Sequence, residues 1–472
     1  MAASKDMRRD APSLEQQKKL LAPYEKGNMD EAEKVAISHT QTFPSHPFSW
    51  KVWGAVLRMK GKKIDAARTF LKAVALSPED FEAYNSLGLT LHEIGELKES
   101  ESALRKAIVI NPDCVAAYYN LGNTLKKSGQ LKKAESTFEK AIGFNPHFAE
   151  AYNNLGNTQR ELGRTKNARA SYSKAVEIRP NFTEAYHNLG SILQEVGEYE
   201  QAEFCFRKVL ASRPDHHHSD IQLLTCLYLM DKEKPFLESL FFMIDQGQVN
   251  ATLGSLTGRS ALRYGYPNFN SFCNEPLRYV CHINLNYQYN FKENIVEKLR
   301  TFLNDGRVTN RSQPLLVKGY QTHGNLFEIE NHRLGYLEKI IRSEIGKYQQ
   351  MHSGSKEGFI KNWPKKYDLY GWIVSMKSGG SLRPHIHSQG WLSGSIYINV
   401  PRKKTHKSGN LVLSLGEEKD ARFPRKNRSK VLNVVTGSMV LFPASLLHHT
   451  IPFESDEDRI VFAFDVKSLQ PS

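Results

Sequence analysis

Apolar, small and turn-forming residues recur every 34 positions through the first half of the chain. Prolines set the period, at Pro44, Pro78, Pro112, Pro146, Pro180 and Pro214. A glycine recurs in phase at Gly54, Gly88, Gly122, Gly156 and Gly190. A second glycine follows each of these by seven residues, and a large apolar side chain follows by sixteen. The pattern predicts two antiparallel helices per repeat, in which the first glycine permits a close crossing, the second makes the turn and the proline stops the second helix.

These repeats resemble the tetratricopeptide repeat. Five full units span 47–214 and a degenerate unit precedes them, so we assign 13–214 to a repeat array and 1–12 to a disordered N-terminus. The resemblance implies a curved solenoid whose concave groove binds a protein or peptide. Candidate groove residues are the asparagines that lie one repeat apart, Asn120, Asn154 and Asn188. The same spacing equally fits asparagines that only solvate the inner face or cap a turn.

The period fails after Pro214. Residues 215–253 keep a helical periodicity, and we predict that they form the capping helices of the array. Residues 254–278 are rich in Gly, Ser, Asn and Pro, which is a composition typical of a linker.

Beyond this segment the pattern changes to short alternating runs. Helices are predicted at 292–304 and 336–349. Strands are predicted at 282–289, 367–376, 394–400, 410–415, 431–435, 438–442 and 460–466. Many short strands with polar turns predict a sandwich or a jelly roll. The chain is therefore a multidomain α + β protein, with an all-α solenoid followed by a β domain with flanking helices over 279–468.

The charge is divided unevenly between the halves. Within a formal net charge of +14, residues 1–250 hold 33 basic and 32 acidic residues, whereas residues 251–472 hold 31 basic and 18 acidic residues. The basic residues do not interleave with aromatics in a regular stripe, so the charge does not indicate nucleic-acid binding.

The spacing of the cysteines and the lengths of the apolar runs indicate the cellular compartment in which the protein is expected. The five cysteines show no paired spacing, and we interpret them as reduced thiols. The N-terminus lacks the apolar core of a signal peptide, and the apolar runs are too short to span a bilayer. We expect a cytoplasmic protein that has no membrane partner.

Two histidine clusters carry the candidate chemistry. The first contains His385 and His387 in RPHIH, and the second ends at His448 in GSMVLFPASLLH. Residues i and i+2 of a strand point to the same side, so His385 and His387 can converge on one ion. A third imidazole from a distant antiparallel strand, here His448, would complete one face of an octahedron.

Both clusters resemble the metal-binding strands of the double-stranded β-helix superfold, which cupins and 2-oxoglutarate/Fe(II) oxygenases share. The segments RPHIHSQGWLSGSIYINVP and GSMVLFPASLLHHTIPFESDEDRI are similar to a bacterial-type oxygenase family often fused to tetratricopeptide repeats. Arg459 matches the arginine that pairs with the distal carboxylate of 2-oxoglutarate in this family. The resemblance implies Fe(II) bound by His385 and His448, with 2-oxoglutarate and dioxygen as cosubstrates. Ser395 and Tyr397 are further candidates to bind the same carboxylate.

The third ligand departs from the oxygenase pattern. The usual motif is H-x-Asp or H-x-Glu, whereas His387 stands at the carboxylate position, and no acidic residue lies between Asp368 and Glu417 to replace it locally. Three outcomes stay open: His387 ligates in a three-histidine site, it stands aside from a two-histidine site, or the domain does not bind iron productively. Three imidazoles also suit zinc. Arg459 likewise has a second interpretation, as a surface partner of the acidic run before it.

These features favour a 2-oxoglutarate-dependent dioxygenase that hydroxylates a substrate, such as a protein or peptide, recruited by the repeats. One alternative is a non-catalytic adaptor whose jelly roll is vestigial. Another is a cupin-like metalloenzyme that does not use 2-oxoglutarate. Binding of 2-oxoglutarate distinguishes the dioxygenase from both.

Overall fold

The computed structural model describes residues 11–266, 269–291, 295–297, 299, 310–311, 313, 315–322, 324–329, 334–417 and 428–469. The chain divides into two compact units, Met1–Pro214 and Asp215–Ser472. The predicted disordered N-terminus and the predicted helix 292–304 lie almost entirely outside the described residues.

The first unit is a series of antiparallel helix pairs. In chain order its helices are α1 (Leu14–Glu25), α2 (Met29–Thr42), α3 (Pro47–Met59), α4 (Lys63–Leu76), α5 (Phe81–Ile94), α6 (Leu97–Ile110), α7 (Val115–Lys127), α8 (Leu131–Phe144), α9 (Ala149–Glu161), α10 (Thr165–Ile178), α11 (Thr183–Glu195) and α12 (Tyr199–Ser212). Each helix packs against the next along the array. The predicted all-α repeat array is therefore confirmed.

Packing between the two helices of a repeat explains the first recurring glycine. A β-carbon on Gly122 of α7 would lie 2.6 Å from a ring carbon of Phe138 in α8, which is too close for two carbon atoms. The same overlap recurs in the other full repeats. Gly129, in the turn between α7 and α8, has a φ of +76°, a conformation that other residues rarely adopt. Each repeat needs one glycine for space and one for backbone shape.

The second unit begins with three helices, α13 (His217–Leu229), α14 (Glu233–Asp245) and α15 (Ala251–Tyr264). Residues 215–253 fall within this second unit, and their role as capping helices of the array stays a prediction. Residues 254–278 are not a linker, because α15 covers their first part and buries most of its side chains. A β-carbon on Gly254 would lie 2.7 Å from Cβ of Phe272, so the small residues reflect close packing.

The remainder of this unit is an antiparallel sheet that curls on itself. Its strands are β1 (Cys281–Asn284), β2 (Asn310–Arg311), β3 (Leu316–Thr322), β4 (Tyr367–His385), β5 (Leu392–Asn399), β6 (Leu411–Ser414), β7 (Ser429–Leu432), β8 (Ser438–Pro443), β9 (Leu447–Thr450) and β10 (Arg459–Ser468). The order is β1-β8-β5-β10-β4-β9-β6-β7, with β3 beside β4 and β2 beside β3. The predicted double-stranded β-helix is confirmed, and with it the α + β fold class.

Strand β4 connects the two halves of the curled sheet. Its first ten residues pair with β10, whereas Leu382 and His385 pair with β9. The strand changes direction near Gly379, whose φ is +73°. Beyond this bend the end of β4 pairs with β9 and with β3.

The main core of the second unit lies on one face of the sheet. Helix α16 (Leu326–Ile329), α17 (Gly335–Met351) and α18 (Gly358–Lys361) flank that face. In β10, Phe462 and Phe464 point into this core, while the alternating residues line a cavity on the opposite face. Alternation along the strand thus separates packing residues from candidate functional residues.

The predicted strands, and the helix predicted at 336–349, correspond to observed elements with shifted ends. The sequence pattern did not predict β2, β3 or β9, and the predicted strand 282–289 ends at Asn284 in the structure. Among the described residues, no helix combines the length and apolar character needed to cross a bilayer.

Candidate metal centre

Three histidines meet at one end of the cavity inside the curled sheet. His385, the last residue of β4, pairs in register with His448 of β9, and their ring centroids lie 4.1 Å apart. The ring of His387 lies 4.7 Å from that of His448 and 5.2 Å from that of His385. One ring nitrogen from each histidine lies within 4.8 Å of the others. The structure therefore brings all three predicted metal ligands together.

Hydrogen bonds select the same tautomer in all three rings. Nδ1 of His385 donates to the backbone oxygen two residues earlier at 2.8 Å, and Nδ1 of His448 does the same at 3.3 Å. Nδ1 of His387 donates to Oδ1 of Asp465 at 2.6 Å. Since these oxygens accept, each Nδ1 carries a proton, and in the neutral ring Nε2 is the nitrogen with the free lone pair. Three Nε2 atoms are a donor set suited to Fe(II) or Zn(II).

Burial keeps the imidazoles of His385 and His448 neutral. It lowers the pKa of His385 to about 4 and the pKa of His448 well below its ordinary value, and the neighbouring histidines lower both further. Metal ions bind the neutral form of imidazole. These two ligands can therefore receive an ion at neutral pH without first losing a proton.

A buried carboxylate stands behind His387. Asp465 of β10 is 5% exposed, and its Oδ1 also accepts a hydrogen bond from the hydroxyl of Ser393 at 2.7 Å. As expected, no carboxylate near His387 in the sequence takes the place of the missing ligand, but β10 brings Asp465 to the Nδ1 side of His387. One signal could have found it: Asp465 lies an even number of residues after Arg459, so both face the same side of β10.

The opposite end of the cavity holds Arg459. This side chain is 2% exposed, so the alternative of a surface ion pair is wrong. Within the described residues its charge interacts with the hydroxyl of Tyr397 and with no carboxylate, and its Nε has no hydrogen-bond partner. Burial lowers the pKa of the guanidinium. A buried cation without a counter-charge is costly, and a planar carboxylate matches the guanidinium fork.

The other two predicted cosubstrate residues lie beside Arg459. Ser395 and Tyr397 are on β5, which pairs with β10, and both line the cavity. The ring centre of Tyr397 lies 5.1 Å from the guanidinium carbon of Arg459. The Tyr397 hydroxyl lies close to both Arg459 and Ser395; burial, the larger effect, raises its pKa, and both neighbours lower it. The three residues form one polar cluster.

The space between the histidines and this cluster fits a small ligand. The cavity has a volume of about 290 Å³, near the lower limit for small-molecule sites. Trp372 contributes to the wall with its ring 5.3 Å from that of His387. Lys467, which the sequence reasoning missed, also lines the cavity and places its ammonium 3.8 Å from the ring centre of Tyr370. A donor set at one end and an unpaired cation at the other fit a metal ion with a dicarboxylate.

The candidate groove asparagines form hydrogen bonds between neighbouring repeats. Nδ2 of Asn120 donates to Oδ1 of Asn85 at 2.9 Å. Asn154 and Asn188 donate at equivalent distances to side chains of the preceding repeat. Their contribution to the structure is thus to join successive helix pairs. Their partner-binding role stays a prediction.

Family comparisons agree with this division of the chain. Residues 370–465 match the family described as "Putative 2OG-Fe(II) oxygenase". Residues 69–102, 115–148 and 147–215 match three families described as "Tetratricopeptide repeat". The matches confirm both resemblances drawn from the sequence. Tetratricopeptide repeats and an oxygenase-family domain are therefore combined in one chain.

Solved structures similar to the chain include several repeat proteins. MamA is 28% identical over 35% of this chain and 96% of its own, with a TM-score of 0.33. YrrB, described as a TPR protein with an unusual peptide-binding site, is 27% identical over 38% of this chain and 92% of its own, with a TM-score of 0.34. The pilF protein of Pseudomonas aeruginosa is 16% identical over 46% and 92%, with a TM-score of 0.38. No curated protein matches the sequence.

Proposed function

We propose that this chain, in which tetratricopeptide repeats accompany an oxygenase-family domain, is an Fe(II)- and 2-oxoglutarate-dependent dioxygenase. Its substrate would be a protein or peptide recruited by the repeats. One observation carries the proposal. A single cavity has three nitrogens able to bind a metal at one end, and at the other the buried Arg459, which interacts with no carboxylate of the described residues. Neither an adaptor nor a keto-acid-independent enzyme needs both features.

Each cavity residue has a role in this proposal. His385, His387 and His448 would hold Fe(II) through Nε2 and leave the remaining positions for reagents. Arg459 would bind the distal carboxylate of 2-oxoglutarate, with Tyr397 orienting the guanidinium. Bound Fe(II) with 2-oxoglutarate supplies dioxygen activation and hydroxylation of an unactivated C–H bond. The chain itself contributes the orientation of the cosubstrate and a largely dry site.

The repeats would select the substrate. Arrays of this class form extended concave surfaces that bind polypeptides. The proposal assigns recruitment to the surface of the first unit and chemistry to the second. Asn120, Asn154 and Asn188 are the residues we would substitute first to test whether that surface binds a peptide.

We also propose a cytoplasmic location. The five cysteines form no disulfide, and four of them are buried. Unpaired cysteines are typical of a reducing compartment.

The test is an anaerobic titration of the full chain with Fe(II) and then 2-oxoglutarate, which follows the visible metal-to-ligand charge-transfer band. We expect a band in the wild type, no metal binding in His448→Ala, and metal binding without the band in Arg459→Ala. His406→Ala is the matched control, because this histidine is exposed on a loop. Absence of a band in the wild type, or exclusive retention of zinc, would contradict the proposal.

A further inference from the structure

We propose that Asp465 supplies, through His387, the negative charge that H-x-Asp and H-x-Glu oxygenases place directly on the metal. The inference rests on the proposed function, because it concerns the metal that the three histidines would hold. Asp465 is a positioning residue: it contacts the Nδ1 edge of the His387 ring, whereas the metal would bind at Nε2. In this chain the negative charge would therefore lie one imidazole ring farther from the metal than a directly bound carboxylate does.

The three candidate ligands differ in what holds their Nδ1–H. His385 and His448 donate to neutral backbone carbonyls. His387, at the position where the usual motif has a carboxylate, is the one of the three that donates to a carboxylate. A carboxylate acceptor fixes the ring and makes the distal nitrogen a stronger donor to a metal. The ring whose Nδ1–H is held by a carboxylate is thus the one that stands where the usual motif has a carboxylate ligand.

The surrounding chain holds the Asp465 carboxylate in place. Ser393 is fully buried, and its hydroxyl donates to Oδ1 of Asp465 and lies 3.0 Å from Nδ1 of His387. The backbone N–H of Gly390 donates to the backbone oxygen of His387 at 2.9 Å, which closes a tight turn. A β-carbon on Gly390 would lie 3.2 Å from Cγ of Asp465, so the turn passes close to the carboxylate. Strand β10, the turn at Gly390 and the Ser393 hydroxyl together fix the position of the Asp465 carboxylate.

Exclusion of water strengthens the charge effect. The side chains of His387 and Asp465 are 14% and 7% exposed. At low effective dielectric, a negative charge one imidazole away from a divalent cation is felt much more strongly than in water. Asp465 therefore offsets part of the charge that three neutral ligands would leave on the metal.

A purely structural aspartate–histidine pair is the competing interpretation. It predicts that loss of the Asp465 charge lowers folding stability but leaves intrinsic metal affinity and metal electronics unchanged. The positioning role predicts changes in both metal properties. Measurements on the metal therefore separate the two.

The experiment compares the full-length wild type with Asp465→Asn, Ser393→Ala and Asp368→Asn. Asp368 is an exposed residue of β4, so its variant is a matched control for loss of one carboxylate. Fe(II) and Co(II) affinities are measured anaerobically, the charge-transfer maximum is recorded with 2-oxoglutarate, and thermal unfolding of the metal-free proteins reports folding.

We expect Asp465→Asn to weaken metal binding by about 10- to 100-fold, the range for such supporting residues. We also expect its charge-transfer maximum to move to shorter wavelength, because the metal loses electron density. Ser393→Ala should weaken metal binding by about threefold, since it loosens the carboxylate without removing it. Asp368→Asn should match the wild type.

The possible outcomes distinguish failure of the role proposed for Asp465 from failure of the proposed function. An Asp465→Asn protein with metal affinity within about twofold of the wild type and an unshifted band overturns this inference and leaves the proposed function intact. A wild type that binds no metal overturns both. If Asp465→Asn does not fold, Ser393→Ala decides. Unchanged metal affinity, or weaker affinity with an unshifted charge-transfer maximum, overturns the inference, because Ser393 also contacts His387 directly. Weaker affinity with the maximum at shorter wavelength supports it.

Discussion

The guanidinium carbon of Arg459 lies 5.1 Å from the ring centre of Tyr397, and both side chains are buried. An aromatic face attracts a cation by roughly 0.5–2 kcal/mol. Desolvation of the ion costs several kcal/mol, so the ring alone does not compensate it. The metal-free, ligand-free protein therefore contains a destabilised end of the cavity that an anionic ligand would stabilise.

The first prediction separates stability from ligand binding at Arg459. Arg459→Met keeps much of the side-chain volume and removes the buried charge, so we expect it to raise the unfolding free energy of the apoprotein by about 1 kcal/mol or more. The same variant should no longer bind 2-oxoglutarate. Urea unfolding and calorimetric titration measure the two effects. Arg402→Met, at an exposed position, is the control and should change neither. A destabilised Arg459→Met protein would contradict the account of Arg459 as a charge lacking its partner.

The second prediction concerns Tyr397. Tyr397→Phe keeps the ring beside Arg459 and removes only the hydroxyl, so metal affinity should stay the same. We expect the affinity for 2-oxoglutarate to fall by about tenfold, the size of one hydrogen bond to a charged group. Titration of the iron-loaded protein gives the value, and Tyr367→Phe, at the start of β4 and outside the cavity lining, is the control. An unchanged affinity would mean that the hydroxyl does not help to hold the guanidinium or the ligand.

The third prediction is a dependence of apoprotein stability on pH. In the folded chain burial lowers the pKa of His385 to about 4 and that of His448 in the same direction, whereas both protonate near 6.5 when unfolded. The unfolded state thus binds more protons, and stability falls as pH falls from 6.5 towards 4. Urea unfolding at pH 7, 6 and 5 tests this. His448→Asn should flatten the slope, and an identical slope in the variant would argue against histidine as its source.

The fourth prediction compares two glycines in adjacent helices. Gly122→Ala would force a methyl group against Phe138, and we expect a loss of about 1–3 kcal/mol. Gly143, near the end of α8, has no atom within 4 Å of the place that a β-carbon would occupy, so Gly143→Ala should instead stabilise by about 0.5–1 kcal/mol. Thermal unfolding of the full chain measures both. Equal effects at the two positions would contradict the packing explanation.

The repeats could be predicted because their determinants are local and recur. The contact between Gly122 and Phe138 joins residues sixteen apart, and the sequence repeats it in every full unit. The prediction of a linker at 254–278 was wrong because glycine and serine have two uses. They loosen an exposed segment, but they also let a helix approach its neighbours, as Gly254 does beside Phe272. Composition alone does not distinguish these cases.

The candidate site could be predicted in part for a related reason. The histidines and Arg459 occur in short motifs whose spacing is visible along the chain. Asp465 lies 78 residues from His387, and their contact depends on β10 lying beside β4 and β5. Strand order is a property of the whole sheet, so a one-dimensional pattern did not indicate it.

Arg459 and Asp465 lie on a single strand, so correct folding of that strand decides the position of both. If β10 paired with its neighbours one residue out of register, every side chain would turn to the opposite face, and both charged groups would leave the cavity together. The apolar residues Phe462 and Phe464 would enter it at the same time. Misregistered molecules would thus bind no 2-oxoglutarate at all, and none of them would bind it with intermediate affinity. Ligand-binding stoichiometry of a preparation therefore counts the fraction of molecules in which β10 has folded correctly.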